Sequence, residues 1–210
     1  IKEEFRHRIL QEIAVFDQTS SRIQCFETLD ELSIFFEVIH PPLQLLLFGA
    51  GNDTLPVAQL AALLGHEVIL VDGRKALATS SRFPTVQRII QGPAEEVMEQ
   101  METDVNTVAL LMTHNFDYEL ILLEKLSRLK LPYIGILGPK RKTEKLLDRL
   151  QAKGIAISTG NLYAPIGLDL GAESSEEIAL AILAEIAAVV RKRKPGFLRD
   201  KQGPIHDAAL

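Results

Sequence analysis

The sequence has little cysteine and no long apolar run, and each shortage excludes a class of protein. Its 210 residues include one cysteine, Cys25, which excludes an internal disulfide framework and a zinc site built from several cysteines. No apolar run reaches the roughly 18 residues that a membrane-spanning helix needs. Residues 1–10 are rich in charge, unlike a signal peptide. We therefore expect a cytoplasmic protein that does not enter a membrane.

The sequence also lacks an excess of basic residues. Lysine and arginine together number 23 against 28 acidic residues, which gives a formal net charge of -5. A mildly acidic chain without a broad basic field is not typical of proteins that bind nucleic acid independently of its sequence. We therefore expect no nucleic-acid partner. An apolar content of 47% is ordinary for a globular domain.

After Pro42 the sequence alternates between apolar strands and helices. A strand that is covered on both faces has a nearly continuous apolar run, and residues 43–48 (LQLLLF) are an example. Strands are predicted at residues 43–48, 67–71, 87–90, 107–112, 133–137 and 155–158, with helices between them and a loop over 161–171. This alternation predicts an α/β fold with a doubly wound, mainly parallel Rossmann-like sheet.

The first 41 residues have a different pattern and form a separate predicted segment. Apolar spacing predicts a helix over residues 2–16, followed by a β-hairpin with strands at 22–27 and 33–39. The pair Pro41-Pro42 ends this segment. We therefore divide the chain into an N-terminal helix and hairpin (1–41) and a Rossmann-like domain with a C-terminal helix and tail (42–210).

Ligands of doubly wound sheets bind beyond the carboxyl ends of the strands. The first such end is followed by Gly49, Gly51, Asn52 and Asp53. The two glycines fit the dinucleotide-binding fingerprint, although Thr54 stands at the third glycine position. Asp53 stands where a pyrophosphate would bind, or it caps the next helix. The loop either contacts a ligand or is only a structural turn.

Two further strand ends carry candidate binding residues. Asp72 follows the second strand at the distance where an acid reads a ribose hydroxyl, and Arg74 beside it could accept a 2′-phosphate. The alternative is a solvated turn. Thr113 and His114 follow the fourth strand, where His114 could carry a proton, bind a ligand or cap the next helix.

The fifth strand end carries three consecutive cations. Gly138 and Pro139 precede Lys140, Arg141 and Lys142. Cations at a helix N-terminus oppose the helix dipole, so a bound anion would explain them better than local stability does. The alternative is a solvated run of charges. Glu185, inside the apolar last helix, needs a partner, which we expect in another subunit or domain.

Five blocks of the sequence follow one another in the order found in a known family. They are LLLFGAGNDTLPVAQLAALLGHEVILVDGR, ATSSRFP, MTHNFDYELILLEKL, YIGILGPKRKTEKLL and APIGLDLGAESSEEIALAILAEI. Together they resemble the C-terminal Rossmann-like domain of the XdhC/CoxI family, the xanthine dehydrogenase accessory proteins. The resemblance extends from Pro42 to Val190, and Pro204-Ile205-His206 also fits it.

The resemblance implies a chaperone for the molybdenum cofactor. Such a protein binds molybdopterin as cargo, protects it during maturation and inserts it into a molybdenum hydroxylase such as xanthine dehydrogenase. It also implies a homodimer without catalytic residues. The histidines at 7, 40, 66 and 206 lack metal-ligand spacing, so we expect no metal site. The candidate cofactor-binding residues are those already named and Arg82, which lies in the second block. In full they are Gly49, Gly51, Asn52, Asp53, Asp72, Arg74, Arg82, Thr113, His114, Gly138, Lys140 and Arg141.

Two other functions remain open at this point. The segment 49–53, here called the glycine loop, and Asp72 also fit an NAD(P)-dependent oxidoreductase. The sequence has no Tyr-x-x-x-Lys pair, however. A nucleotide-sensing regulatory module is the other possibility. Members of the XdhC/CoxI family usually carry a further N-terminal region with a motif of glycine and cysteine, and no Gly-Gly-Cys sequence occurs here.

Overall fold

A computed structural model describes residues 3–14, 22–26, 32–36 and 41–203. Residues 42–195 form one compact unit, and residues 1–41 with 196–210 form another. The division of the sequence into domains 1–41 and 42–210 stays a prediction. No helix in the described ranges is both long enough and apolar enough to cross a bilayer.

The smaller unit contains the predicted helix and hairpin. Helix α1 spans Glu3–Ala14, and strands β1 (Arg22–Phe26) and β2 (Leu32–Phe36) pair in an antiparallel hairpin. Cys25 lies on β1 in register with Ser33. The motif Pro204-Ile205-His206 lies outside the described residues.

The larger unit is built on a six-stranded parallel sheet with the order β5-β4-β3-β6-β7-β8, which confirms the predicted Rossmann-like α/β fold. The strands are β3 (Gln44–Phe48), β4 (Glu67–Val71), β5 (Arg88–Ile90), β6 (Thr107–Leu111), β7 (Tyr133–Ile136) and β8 (Leu162–Tyr163). The helices are α2 (Thr54–Leu63), α3 (Ala94–Val97), α4 (Phe116–Leu126), α5 (Lys140–Ala152) and α6 (Ser175–Val190). A short 3-10 turn follows α3 at Met98–Gln100, and another, at Leu198–Asp200, belongs to the smaller unit.

The strand order places a crevice in the middle of the sheet. The chain leaves β3 toward β4 and β5 on one side, and it returns to build β6, β7 and β8 on the other. Strands β3 and β6 are therefore neighbours whose onward connections run in opposite directions. Such a switch point leaves room for a ligand beyond the carboxyl ends of the two strands.

Alternate residues of each central strand enter two different apolar layers. Leu45 and Leu47 of β3 pack in the layer that contains α2 and α6, whereas Leu46 and Phe48 pack in the layer that contains α4 and α5. The apolar stretch of α6 after Glu177 is explained by its position against the sheet, where Ile182 and other residues of its inner face are buried. All these strands are covered on both faces, as their continuous apolar runs indicate.

Two expectations about the C-terminal part are wrong. Residues 155–158 are not a strand, and β8 lies instead at Leu162–Tyr163, inside the predicted loop. Ile155 and Ile157 do pack against the core, but their backbone does not join the sheet. Their apolar alternation therefore reflected burial and not strand pairing.

Glu185 has its partners inside the larger unit and not in another subunit or domain. Its Oε1 accepts a hydrogen bond from the hydroxyl of Tyr133 at 2.5 Å and one from the backbone N–H of Gly167 at 3.0 Å. Burial, helped by the Glu185 carboxylate, raises the pKa of Tyr133 well above its usual range. The tyrosine therefore stays a neutral donor, which is what the carboxylate needs in an apolar helix.

The end of β3 requires glycine because the chain there approaches β6 closely. Gly49 has a φ of +124°, and a Cβ at this residue would lie 2.3 Å from the carbonyl oxygen of Met112. Gly65, which follows α2, also has a positive φ, at +79°, but nothing lies within 4 Å of its Cβ position. The two glycines thus share a backbone constraint and differ in the space around them.

We expect Gly49→Ala to destabilise the protein more than Gly65→Ala does. The positive φ alone costs about 1–3 kcal/mol, and the clash with Met112 adds about 1–3 kcal/mol more at residue 49. Urea unfolding of both variants measures the difference in the free energy of unfolding. Equal losses in the two variants would show that the close approach of β3 to β6 is not tightly packed.

Candidate functional site

Loops from two strand ends line a cavity at the switch point. They follow β4 and β6, the strands on either side of β3, and the cavity has a volume of about 440 Å³. Sites for small molecules commonly have volumes of about 300–1,000 Å³. The cavity is lined by Asp72, Gly73, Arg74, Thr113, His114, Asn115 and Tyr118. Four of the residues predicted from the sequence thus line one cavity, two from each loop, and we take this cavity as the candidate site.

The Asp72 carboxylate is buried, and both of its oxygens accept hydrogen bonds from the protein. Its side chain accepts the backbone N–H of Ala50 on Oδ2 at 2.6 Å and that of Arg74 on Oδ1 at 2.7 Å. The Arg74 guanidinium also donates to both oxygens, from Nε to Oδ1 at 3.0 Å and from Nη2 to Oδ2 at 2.6 Å. Asp72 therefore fixes the glycine loop and the plane of Arg74 together.

These contacts keep both members of the pair charged. Burial is the largest single influence on Asp72 and raises its pKa, but the hydrogen bonds from Arg74 and Ala50 together outweigh burial and hold the pKa below its usual value. The hydrogen bond to Asp72 raises the pKa of Arg74 in return. The Arg74 side chain remains 49% exposed at the cavity, so this cation is available to a ligand.

Arg82 holds the glycine loop from its other side. Its Nη1 donates to the carbonyl oxygens of Ala50 at 2.8 Å and Leu77 at 2.9 Å, and its Nη2 donates to Asn52 Oδ1 at 2.7 Å. Both backbone polar groups of Ala50 therefore have protein partners, Asp72 on the N–H and Arg82 on the carbonyl. The predicted residues Asn52 and Arg82 contact each other, and they brace the loop.

A histidine and an aspartate meet across the crevice. His114, from the loop after β6, places its Nε2 2.8 Å from Oδ2 of Asp53, which lies 61 residues earlier in the loop after β3. Asp53 occupies the N-cap position of α2, but its side chain makes no capping hydrogen bond there. His114 has a φ of +56° and a side chain that is 62% exposed. Such a backbone is uncommon outside glycine and tends to occur at functional sites.

A second buried carboxylate lies beneath His114. Glu119 of α4 is fully buried, and its Oε1 lies 3.1 Å from both the backbone nitrogen and the hydroxyl of Thr113, which donate to it. Its Oε2 lies 2.6 Å from Nζ of Lys142, which also donates to the carbonyl of Leu137 at 2.8 Å. This network joins the ends of β6 and β7. Glu119 is not among the residues predicted from the sequence, although an acid directly before the apolar run of residues 120–123 was a signal that a buried cation would be needed.

The three cations that open α5 do not act as one group. Lys142 points inward to Glu119, whereas Lys140 and Arg141 are exposed. Gly138, with a φ of +123°, leads into this turn. Gly138, Lys140 and Arg141 lie beyond β7 and do not line the 440 Å³ cavity. The other nine predicted residues lie in the two loops that line the cavity, in the adjacent loop after β3 or, for Arg82, against that loop. The ligand contacts of all twelve stay predictions.

The described residues hold no cluster suited to a metal ion. Within residues 3–14, 22–26, 32–36 and 41–203, no three histidine, cysteine, aspartate or glutamate side chains lie close enough to bind one together. The side chains that line the cavity include hydrogen-bonding and charged groups, among them Arg74 and His114. The sequence model of the XdhC Rossmann domain matches residues 45–186, which include every wall of this cavity.

The chain belongs to the XdhC family.

Curated relatives and one solved structure agree with this assignment. The chain is 35% identical over 178 residues to a probable xanthine dehydrogenase subunit of Bacillus subtilis (strain 168), a match that covers 85% of this chain and 48% of the relative. It is 28% identical over 156 residues to the molybdenum cofactor insertion chaperone PaoD of Escherichia coli (strain K12), covering 73% and 42%. The crystal structure of a xanthine dehydrogenase from Bacillus halodurans superposes with a TM-score of 0.72 at 28% identity, covering 87% of this chain and 52% of that one.

The matches confirm the resemblance to the XdhC family and define its extent. This XdhC chain spans about half the length of the relatives it matches or less. The matched part contains the glycine loop, Asp72 and His114. The family assignment therefore applies to the domain that holds the candidate site.

We expect the Asp72 pair to make the stability of the XdhC domain sensitive to acid. Folding lowers the pKa of Asp72, so between the folded and unfolded pKa values the unfolded chain binds more protons. The contribution of Asp72 is therefore complete above about pH 4 and is lost as the pH falls through the lowered pKa. At pH 7, Asp72→Asn should lower the free energy of unfolding by about 1.5–3 kcal/mol.

Urea unfolding at several pH values measures this effect. The wild type should lose more stability than Asp72→Asn when the pH falls below 4. Arg74→Met should also lose less than the wild type, because burial raises the pKa of the carboxylate that has lost its cation and protonation then relieves it. Parallel pH curves for wild type and both variants would show that the pair does not set the acid sensitivity.

Proposed function

We propose that this chain binds the molybdenum cofactor as cargo and assists its maturation or its insertion into a molybdenum hydroxylase such as xanthine dehydrogenase. The observation that carries the proposal is the cavity at the switch point of an XdhC domain, with Arg74 and His114 on its wall. The similarity to the insertion chaperone PaoD supports the same role. A homodimer, which the family resemblance implies, and a cytoplasmic location, which the sequence led us to expect, are part of the proposal.

The residues around the cavity fit the chemistry of a molybdopterin. This molecule combines a planar ring system that carries hydrogen-bonding groups with a phosphate or a nucleotide. Arg74 is held flat by Asp72 through Nε and Nη2, and its Nη1 makes neither of these contacts, so it can bind an anion. His114 contacts Asp53 through Nε2, and Nδ1 of the ring is not involved in that contact. A cation and a polar ring thus stand at one wall.

The same geometry argues against an NAD(P)-dependent oxidoreductase. A dinucleotide needs free N–H groups in the glycine loop and a free carboxylate for its ribose. Here the N–H of Ala50 donates to Asp72, and Arg74 donates to both oxygens of the same carboxylate, so neither group is free for a dinucleotide. Asp53 adds a negative charge at the start of α2, where a pyrophosphate would bind. We therefore place the cargo-binding function before the nicotinamide alternative.

The exposed cations of α5 provide a second place for the anionic end of the cargo. Lys140 and Arg141 stand in the first turn of α5, beyond the strand next to β6, and neither makes an ion pair with a described acidic residue. A phosphate at this turn would meet both the basic side chains and the helix N–H groups. We propose that the cargo reaches from the cavity toward this turn.

We expect Lys140→Ala/Arg141→Ala to lower the retention of molybdopterin by about tenfold or more, since each lost charged hydrogen bond corresponds to about 1.5–3 kcal/mol. The protein would be made in a host that synthesises the cofactor and examined by anaerobic native mass spectrometry. The matched control is Arg88→Ala/Lys130→Ala, which removes two exposed cations from the amino-terminal side of the sheet.

Three results would contradict the proposal. Equal loss of cofactor in both double variants would show a general charge effect and not a site. Wild-type protein that retains no molybdopterin would count against cargo binding, and tight binding of NAD(H) or NADP(H) in a parallel titration would favour the oxidoreductase or sensor.

A further inference from the structure

A buried chain of contacts runs from α5 to the backbone of His114. Lys142 pairs with Glu119, and Glu119 in turn accepts both donors of Thr113, the residue before His114. No other described carboxylate of the larger unit is as deeply buried as Glu119, which has no exposed surface. An apolar residue at 119 would pack as well, so packing alone does not account for a charged one.

The contacts restrain His114 from both sides. Thr113 is fixed through its backbone N–H and its hydroxyl, and that hydroxyl also accepts the N–H of Asn115 at 3.1 Å. Asn115 is held in turn because its side chain caps α4 by accepting the N–H of Tyr118 at 3.1 Å. His114 lies between two fixed neighbours and has a φ of +56°, which an unrestrained histidine seldom adopts.

The restrained backbone directs the histidine across the crevice. The ring of His114 meets Asp53 at 2.8 Å although most of the side chain is exposed. An exposed pair of this kind contributes little by itself and would not hold the loop in a strained shape. The force that holds the geometry must therefore come from the buried side, where Glu119 and Lys142 lie.

We propose that Glu119, with Lys142 as its counter-charge, is the positioning residue of the candidate site and holds His114 against Asp53 at the cavity wall. Glu119 touches no ligand and acts through Thr113. Lys142 balances the charge of the carboxylate and links it to the end of β7 through Leu137. The proposal rests on the proposed function only in saying that this geometry serves cargo binding.

The experiment measures the contact itself by NMR. In the wild type, an NOE between the imidazole ring of His114 and the β protons of Asp53 reports their approach, and His114→Gln assigns the ring signals. We expect this NOE to be lost in Glu119→Gln and in Lys142→Met, while the protein remains folded. The ring signals of His114 should move toward their positions in Asp53→Asn.

Matched variants separate positioning from stability. Thr113→Val removes the hydroxyl that Glu119 holds and leaves the buried charges in place, so it decides the question even where Glu119→Gln does not fold. The NOE of His114 should be lost in Thr113→Val and retained in Thr113→Ser, which keeps the hydroxyl. Tyr133→Phe removes another buried hydrogen bond of the same unit, to Glu185, and should leave the NOE of His114 unchanged.

A wild-type NOE in folded Glu119→Gln or Thr113→Val would overturn the proposal, as would its loss in Tyr133→Phe. Retention of molybdopterin, measured as above, should fall in Glu119→Gln but not in Tyr133→Phe. If the wild type holds no molybdopterin, the proposed function fails, while the NOE result still decides whether Glu119 positions His114.

Discussion

The carboxylate of Asp72 is the constraint on which the candidate site depends. It stands at the end of β4 with 3% of its surface exposed, and a charge in such a place is costly unless hydrogen bonds surround it. Here the N–H of Ala50 and three donors of Arg74 do so. One side chain therefore fixes the glycine loop after β3 and the guanidinium beside the cavity. The shape of the wall and the position of its cation are set together.

Glu119 fixes the loop after β6, on the other side of the switch point, in a similar way. Each carboxylate accepts a backbone N–H from a loop that follows a strand, and each is paired with one cation, Arg74 or Lys142. The difference lies in the cations, because Arg74 is half exposed at the cavity whereas the Lys142 side chain is 21% exposed and turned inward. The contact between Asp53 and His114 then joins the two sides across the crevice. Preorganised groups of this kind bind a ligand without having to rearrange first.

The sequence predicted the sheet well because its central strands are buried on both faces, and a continuous apolar run is a local property. It also located most of the cavity, since residues directly after strands must meet at one edge of a parallel sheet. It could not predict β8 or the partners of Glu185, which depend on which distant segments meet. The cations 140–142 are adjacent in sequence, which predicts a single basic group. The turn of α5 separates them, because Lys142 reaches back to Glu119.

The glycine loop shows why the fold alone does not identify the ligand. Its first glycine is required by the approach to Met112, as in any tight turn after a strand. At the third glycine position stands Thr54, which is buried and donates its hydroxyl to the carbonyl of Gly51 at 2.8 Å, so the loop is closed by its own side chain. Both backbone polar groups of Ala50 are bonded within the protein, and Asp53 places a carboxylate at the helix start, so neither offers a free donor to a ligand. A site on this scaffold must therefore obtain its affinity from side chains such as Arg74 and His114, and its ligand follows from their chemistry.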